Sequence, residues 1–503
     1  MLLSAGNSLA KTSARVCLSN LKRRLSRHLS VSIPVRNSTS TLSRSTELGA
    51  VEETQDVTTM DRLLTVAPHP SVTDWQARNP TLLIIRNVDF DCMSSEMPMR
   101  SRTLWSEALL RESLPPGPLA QHETPPPSAE ERELTPRNMH DSYCELVLPF
   151  ASSPQLLEQY TNASGGIRTG MLMEHLDSLA GSVAYKHMLG PGVNLSPRVQ
   201  GFYVVTASVD RLDMLASLYP VRNMRLSGQV IHTGRSSMEV AVRMEALDED
   251  GTEETVLLGR FCMVCRDART HRSTPVHPLS ISTPEDHMLF TIGEVHKNRR
   301  QSRASRSLNL VPPTSEEAEA LHSLYLKYGR NRVNVAVTPD GERVWMGDTR
   351  VEKTLMMYPQ ERNVHQKIFG GYLMRLAYEL GFANSVLFTR GHVSFLSLDG
   401  IAFARPVPIG SILRLTSYIV HSTSSEQFPA LVHVWVQANV VDPQTGAEQT
   451  TNDFRFTWCR EHGAPLTRMV VPRTYTEAMQ WLEGKRALEM GSEIRLLRKN
   501  RHA

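Results

Sequence analysis

Asp177, Asn363 and the Gly370-Gly371 pair are the residues whose types and positions fit chemistry at an acyl carbonyl. Attack on such a carbon, as in thioester cleavage, needs a base or nucleophile beside it and a hydrogen-bond donor for the oxygen that becomes negative. Asp177 offers a carboxylate. Asn363 precedes a segment in which Gly370-Gly371 leaves backbone N–H groups unobstructed at a helix start, where the helix dipole favours developing negative charge. His365, two positions past Asn363, is a candidate for substrate contact, with a loop cap as the plainer reading. An aspartate on a helix is commonly solvated, a Gly-Gly pair is commonly a turn, and Glu174 reads as a solvated neighbour of Asp177.

These residues need helices to position them, and the sequence supplies two. Ile167 to Met188 carries an apolar stripe of Leu172, Leu176, Leu179 and Val183, and Gly371 to Phe388 carries Leu373, Ala377, Leu380 and Leu387. The stretch from Asn162 to Met173 superposes without a gap on Asn363 to Met374, with Asn, Ile, Gly, Leu and Met coinciding. Asp177 falls about 140° around its helix from the Leu172 end of the stripe, beside Ala180, Gly181 and Ala184, so it can face a partner domain. Its counterpart in the second helix is Tyr378. Only the first helix therefore offers a carboxylate at this position.

Strand-like runs surround both helices. Cys144 to Leu148 precedes the first helix, and 201–209, 225–232, 237–245 and 254–267 follow it as a four-strand meander; 350–358 precedes the second, and 392–404, 411–421, 430–441 and 448–459 follow it. The recurrence at a spacing of about 200 residues marks an internal duplication. An amphipathic helix wrapped by an antiparallel sheet is the hotdog arrangement, so the expected fold class is α+β with two tandem hotdog domains. The expected limits are a lead-in over 47–140, domain 1 over 141–268, a linker with a helical segment over 269–348, domain 2 over 349–462 and a helical extension over 463–503.

Forty per cent hydrophobic and 21% charged residues are ordinary for a globular chain, and a net charge of +3 makes nucleic acid an unexpected partner. No apolar run of about 18 residues marks an integral membrane segment. Residues 1–46 contain no Asp or Glu but carry Lys11, Arg15, Arg23, Arg27 and Arg36 among many serines, the composition of a transit peptide. Cys262 and Cys265 form a CxxC inside a strand-like run, where their side chains point to opposite faces, so buried structural cysteines are expected and not a metal or redox site. The basic stretch from Lys297 to Arg306 could reach phosphates but reads as a solvated linker. No GxSxG, HExxH or phosphate-loop pattern is present.

Several segments together carry a resemblance to a known family: Met173-Glu174-His175-Leu176-Asp177-Ser178-Leu179, Pro359-Gln360-Glu361-Arg362-Asn363 running into Ile368-Phe369-Gly370-Gly371-Tyr372-Leu373-Met374-Arg375, and Phe403-Ala404-Arg405-Pro406-Val407-Pro408-Ile409-Gly410. Over roughly 140–490 the chain resembles the double-hotdog acyl-CoA thioesterases of the mitochondrial acyl-coenzyme A thioesterase 9-like family. The resemblance implies hydrolysis of fatty acyl-CoA to free acid and CoA, with no metal or other cofactor, in mitochondria and most simply the matrix, by a homo-oligomer. It implies a catalytic pair of Asp177 and Asn363 across the two domains, Asp177 acting as general base or nucleophile. Gly370, Gly371 and His365 are expected on the substrate and oxyanion side. The pseudo-symmetric position, Asn162 with Tyr378, is expected to be inactive or only to bind ligand. A non-catalytic acyl-CoA-binding or regulatory hotdog protein is the alternative; a hydratase fits less well, because Asn363 and His365 have no carboxylate in phase.

Overall fold

Val432, Val434 and Val436 alternate with His433, Trp435 and Gln437 in a run without Gly or Pro, and such β-branched periodicity forms a strand that packs on both faces. Equivalent runs build the rest of the sheet. The computed structural model of the protein describes residues 58–64, 133–190, 201–248, 251–329, 337–338, 341–425 and 427–502, with side chains described as far as Gly491. The expected transit segment 1–46, and most of the lead-in, lie outside the described residues.

The first repeat runs β1 (Cys144–Leu148), α1 (Pro154–Tyr160), α2 (Thr169–Leu189), β2 (Phe202–Val209), β3 (Leu212–Met214), β4 (Asn223–Thr233), β5 (Ser237–Leu247) and β6 (Glu253–Asp267). Helices α3 (Pro284–Ser305) and α4 (Ser315–Leu324) lead to the second repeat. It comprises β7 (Val351–Met356), α5 (Gly370–Thr389), β8 (Ser394–Leu398), β9 (Ile401–Ala402), β10 (Ile412–Thr423), β11 (Ala430–Val441) and β12 (Glu448–Arg460), and α6 (Tyr475–His502) follows. These twelve strands form one sheet in the order β7-β10-β11-β12-β8-β3-β6-β5-β4-β1, with β2 pairing β6 and β9. The fold is α+β, two tandem hotdog domains sharing a sheet.

One expectation changes here. The consecutive meander in each repeat has three strands, β4-β5-β6 and β10-β11-β12, and not four: in the first repeat β1 occupies the outer edge of β4 (Leu146↔Leu226) and β2 is delivered to the other side of β6 (Val204↔Cys265). The free edges left there pair across the repeats, Ser397↔Asp213 between β8 and β3 and Ile401↔Val209 between β9 and β2. Pairing removes edges that would otherwise expose unsatisfied backbone groups. Arg211 reinforces the seam, reaching Asp213, Asp399 at 2.7 Å and Ser397 Oγ at 3.0 Å.

Helix α2 is buried well beyond its apolar stripe. Val183 packs on Gly228 of β4, while Glu174 and Asp177 face α5. Glu174 is thus not solvated: it is 4% exposed and pairs with Arg375 of α5 at 2.8 Å. The basic stretch also differs from expectation. It forms the last turns of α3, which starts with a Thr283/Asp286 capping box, and Arg300 is ion-paired to Asp210 at 3.0 Å and to Glu239. Arg300 is thus committed to two acidic partners of the sheet. Cys262 and Cys265 are buried free thiols on β6.

Candidate active site

Antiparallel packing of α2 on α5 creates two pseudo-equivalent crossings. At one, Gly371 lies over Asp177; at the other, 201 residues away in both helices, Gly170 lies over Tyr378. Glycine is required at Gly371 by close approach, since a Cβ there would stand 2.7 Å from the Phe369 ring, 3.0 Å from the Glu174 carbonyl oxygen and 3.1 Å from Asp177 Cβ.

Asp177 is fully buried. Its Oδ1 accepts a 2.7 Å hydrogen bond from Thr206 Oγ1 on β2, while buried Oδ2 has no hydrogen-bond donor among the described residues. Burial raises the carboxyl from an ordinary 3.8 to about 6, and the Thr206 hydroxyl and the Gly371 backbone N–H partly offset the rise. The Gly371 amide, expected as a donor to a substrate oxygen, is thus turned toward the carboxylate, because the helix crossing sets Gly371 directly above it. Gly370 stays beside Oδ2: a Cβ at Gly370 would be 3.3 Å from that oxygen and 3.1 Å from the Phe403 ring. Phe403 is anchored at this place by its own N–H donating to the Ala207 carbonyl, next to Thr206. Sequence reading does not place Thr206 or Phe403 at the site, although Phe403 opens one of the segments that carry the resemblance.

Asn363 sits at the centre of the loop before α5. Its Oδ1 accepts from the His365 and Lys367 backbone N–H groups at 2.9 and 3.1 Å, which uses the carboxamide oxygen to shape the loop and leaves Nδ2 as the end able to donate to a ligand. Gln366 takes the left-handed conformation, φ 57°, that closes this turn. His365 reaches the first repeat, with its Nε2 3.0 Å from Tyr185 Oη of α2 and its ring 4.6 Å from that of Tyr203 on β2. Burial holds His365 down at about 4, so it is neutral at pH 7.

The Tyr378 crossing is chemically different. The register break in β2 after Thr206 recurs in β8 after Phe395, so Phe395 stands where the other crossing has Thr206. Tyr378 packs edge-on against Phe395 and Phe456, with ring centroids 5.4 and 5.8 Å apart. Both polar members of the first crossing are replaced by aromatic ones. A cavity of about 1690 Å³ opens on this side, lined among others by Asn162, Arg168, Gly170, Tyr378 and Phe395, and Arg168 there pairs with Glu379 at 2.6 Å. This cavity lies beside the crossing that carries Tyr378 at the position of Asp177, whereas Asp177 is closed over by Gly370, Gly371 and Phe403.

Comparison with known proteins gives the family. The mitochondrial acyl-coenzyme A thioesterase 9 of Bos taurus is 35% identical over 378 residues, covering 74% of this chain and 82% of its own length. The Homo sapiens protein of that name is 36% identical over 371 residues, 73% of this chain and 81% of its own. The chain belongs to the acyl-coenzyme A thioesterase 9 family. A chloroplastic acyl-coenzyme A thioesterase 2 of Humulus lupulus is 31% identical over 370 residues, 71% of this chain. No protein-family model matches. Among solved structures, an apo hexameric acyl-CoA thioesterase is 27% identical and covers 34% of this chain and 99% of its own at a TM-score of 0.29. The thioesterase is thus a hydrolase of acyl-CoA, and the non-catalytic and hydratase alternatives are set aside.

Proposed function

We propose that the thioesterase hydrolyses fatty acyl-CoA at one cross-repeat site per chain, with Asp177 as the acting carboxylate and Asn363 as its partner from the other repeat. The observation that carries this reading is the state of Asp177: Oδ1 is held by Thr206, while Oδ2 is buried and has no hydrogen-bond donor among the described residues. An unpaired buried carboxylate oxygen is costly, and such groups concentrate where chemistry uses them. Oδ2 takes a proton from water as the water oxygen bonds to the thioester carbon. The carbonyl oxygen becomes negative and is met by the Asn363 amide and the Gly370 N–H, one of the helix-start donors that lack an intrahelical acceptor. The C–S bond then breaks, and the CoA thiolate recovers the proton from Asp177. The same oxygen also serves direct attack, which would pass through an acyl-aspartyl anhydride.

Within this reading the repeats are bounded at 141–268 and 349–462, and the acid-free, arginine-bearing 1–46 segment, with relatives named as mitochondrial, supports import into the mitochondrial matrix. The test is CoA release from short- to long-chain acyl-CoA by the full chain. Asp177→Asn is expected to lose on the order of 10²–10³-fold in kcat, the range for removing a base or an electrostatic partner. Asn363→Ala is expected to lose at least ten-fold or so on the same grounds, whereas Tyr378→Phe keeps its rate within about two-fold. Full activity in Asp177→Asn, or loss in Tyr378→Phe without loss of folding, would move the site to the other crossing.

A further inference from the structure

The described cavity, the Arg300 network and the repeat seam each belong to a site or a packing role already given, but one contact between repeats does not. Tyr185 lies on α2, two turns beyond Asp177, and is 3% exposed. Its Oη accepts from the Val204 N–H at 3.2 Å and lies 3.0 Å from His365 Nε2. The phenol and His365 Nε2 share one hydrogen bond, whose direction follows the tautomer of His365. The His365 ring also hydrogen-bonds the Val204 backbone, and its face lies against Tyr203. Val204 is two residues before Thr206, the group that holds Asp177. His365 is two residues after Asn363, whose carboxamide oxygen accepts from the His365 backbone N–H. One short path of hydrogen bonds therefore runs from the Asn363 loop of the second repeat to the Thr206 strand of the first.

Pseudo-symmetry supplies the control. At the same 201-residue spacing the counterparts of Tyr185 and His365 are Val386 and Ser164, a pair that cannot form this tie because valine has no hydrogen-bonding group. The loop around Asn162 is otherwise built alike, with its Oδ1 accepting from Ser164 and Gly166 N–H groups at 2.9 Å and Gly165 at φ 80° where Gln366 stands in the other loop. Loop closure alone thus needs no histidine. The tie is present at the crossing that has Asp177 and absent at the one that has Tyr378.

We propose that Tyr185 and His365 are positioning residues that register the Asn363 loop against the Thr206 strand and so set the distance between the Asn363 amide and Asp177. This rests on the site reading above. It differs from the sequence expectation, in which His365 contacts substrate: here the ring meets Tyr185, Tyr203 and the Val204 backbone.

The test measures kcat and KM on the acyl-CoA the parent turns over fastest, for Tyr185→Phe, His365→Phe, the double variant and His365→Gln, each beside its Tm. Tyr185→Phe and His365→Phe should each lower kcat by roughly 10- to 100-fold, the scale of a misplaced reacting group. KM should stay within about two-fold. The double variant should be no slower than the worse single one, since both cut the same path. His365→Gln, which keeps an acceptor and a donor at the end of the side chain, should recover most of the rate. The proposal is overturned if His365→Phe raises KM while Tyr185→Phe is silent, which is substrate contact. It is also overturned if the losses multiply and follow Tm, which is ordinary packing. If Asp177→Asn proves fully active, the site reading falls and this proposal with it; an inactive Asp177→Asn beside an unimpaired Tyr185→Phe overturns this proposal alone.

Discussion

Replacing Asp177 by Asn should change how stability responds to pH by an amount that the buried carboxyl itself determines. Burial raises its proton affinity from an ordinary 3.8 to about 6. A displacement of about two pH units, at about 1.4 kcal/mol each, comes to about 3 kcal/mol between the protonated and ionised forms. The folded state binds this proton more tightly than the unfolded chain does. Its contribution is therefore fully present below about pH 4, is lost as pH rises to about 6, and stays lost above that. Asn in place of Asp removes the titration. Whatever constant cost the new amide carries at Oδ2, the stability of Asp177→Asn minus that of the parent should grow by about 3 kcal/mol between about pH 4 and pH 7. All other titrating groups are common to both proteins and cancel. The assay is the Tm of parent and variant across that range. Unfolding of a two-repeat chain need not be two-state, so the readout is the pH trend of the Tm difference, on the order of a few degrees. A difference that stays flat refutes the raised carboxyl. One that shrinks with rising pH would mean an ordinary stabilised carboxylate, incompatible with an unpartnered Oδ2.

Two further substitutions probe the same carboxylate from outside. Phe403→Ala opens the side of Asp177 beside Gly370, and with less desolvation the acid limb of kcat/KM, expected near pH 6 in the parent, should move down toward 3.8; a limb that stays in place would show that Phe403 is not what keeps water out. Gly371→Ala places a Cβ against Phe369, the Glu174 carbonyl and Asp177 Cβ, so it should force the helices apart, lowering stability by about 1–3 kcal/mol and kcat with it, while Gly370→Ala, which meets only the Phe403 ring and Oδ2, should spare stability and lose rate. Thermal unfolding beside CoA release separates the two.

The duplicated helices made half of this site legible. A gap-free match from Asn162 and Asn363 into the helices fixes the pairing of Asp177 with Tyr378, and that asymmetry needs no structure to see. The strand partner was not legible. Thr206 lies 29 residues past Asp177, on a strand that crosses the sheet to pair with β6, and its equivalence to Phe395 depends on a register break that strand periodicity alone does not show. Glu174 was misread because an apolar stripe identifies the face that meets the sheet, whereas α2 also buries its opposite shoulder against α5. Glu174 therefore meets Arg375. Helix-on-helix contact between distant repeats leaves little trace in local spacing beyond the glycines that permit it.

The asymmetry of the two crossings also has an energetic logic. A domain is stable by roughly 5–15 kcal/mol, and one buried carboxyl held near pH 6 takes about 3 kcal/mol of that at neutral pH. A second at position 378 would double the loss. Tyr378 and Phe395 instead put aromatic edges against Phe456 and Trp458, contacts of the kind that add about 0.5–1.5 kcal/mol each beyond burial. The helix pair is thus strained electrostatically at one crossing and reinforced by packing at the other, about one helix diameter away. Two separate chains with identical sequences would have to carry the same residue at both crossings. With both repeats in one chain, a single buried carboxylate is offset by aromatic packing at the other crossing.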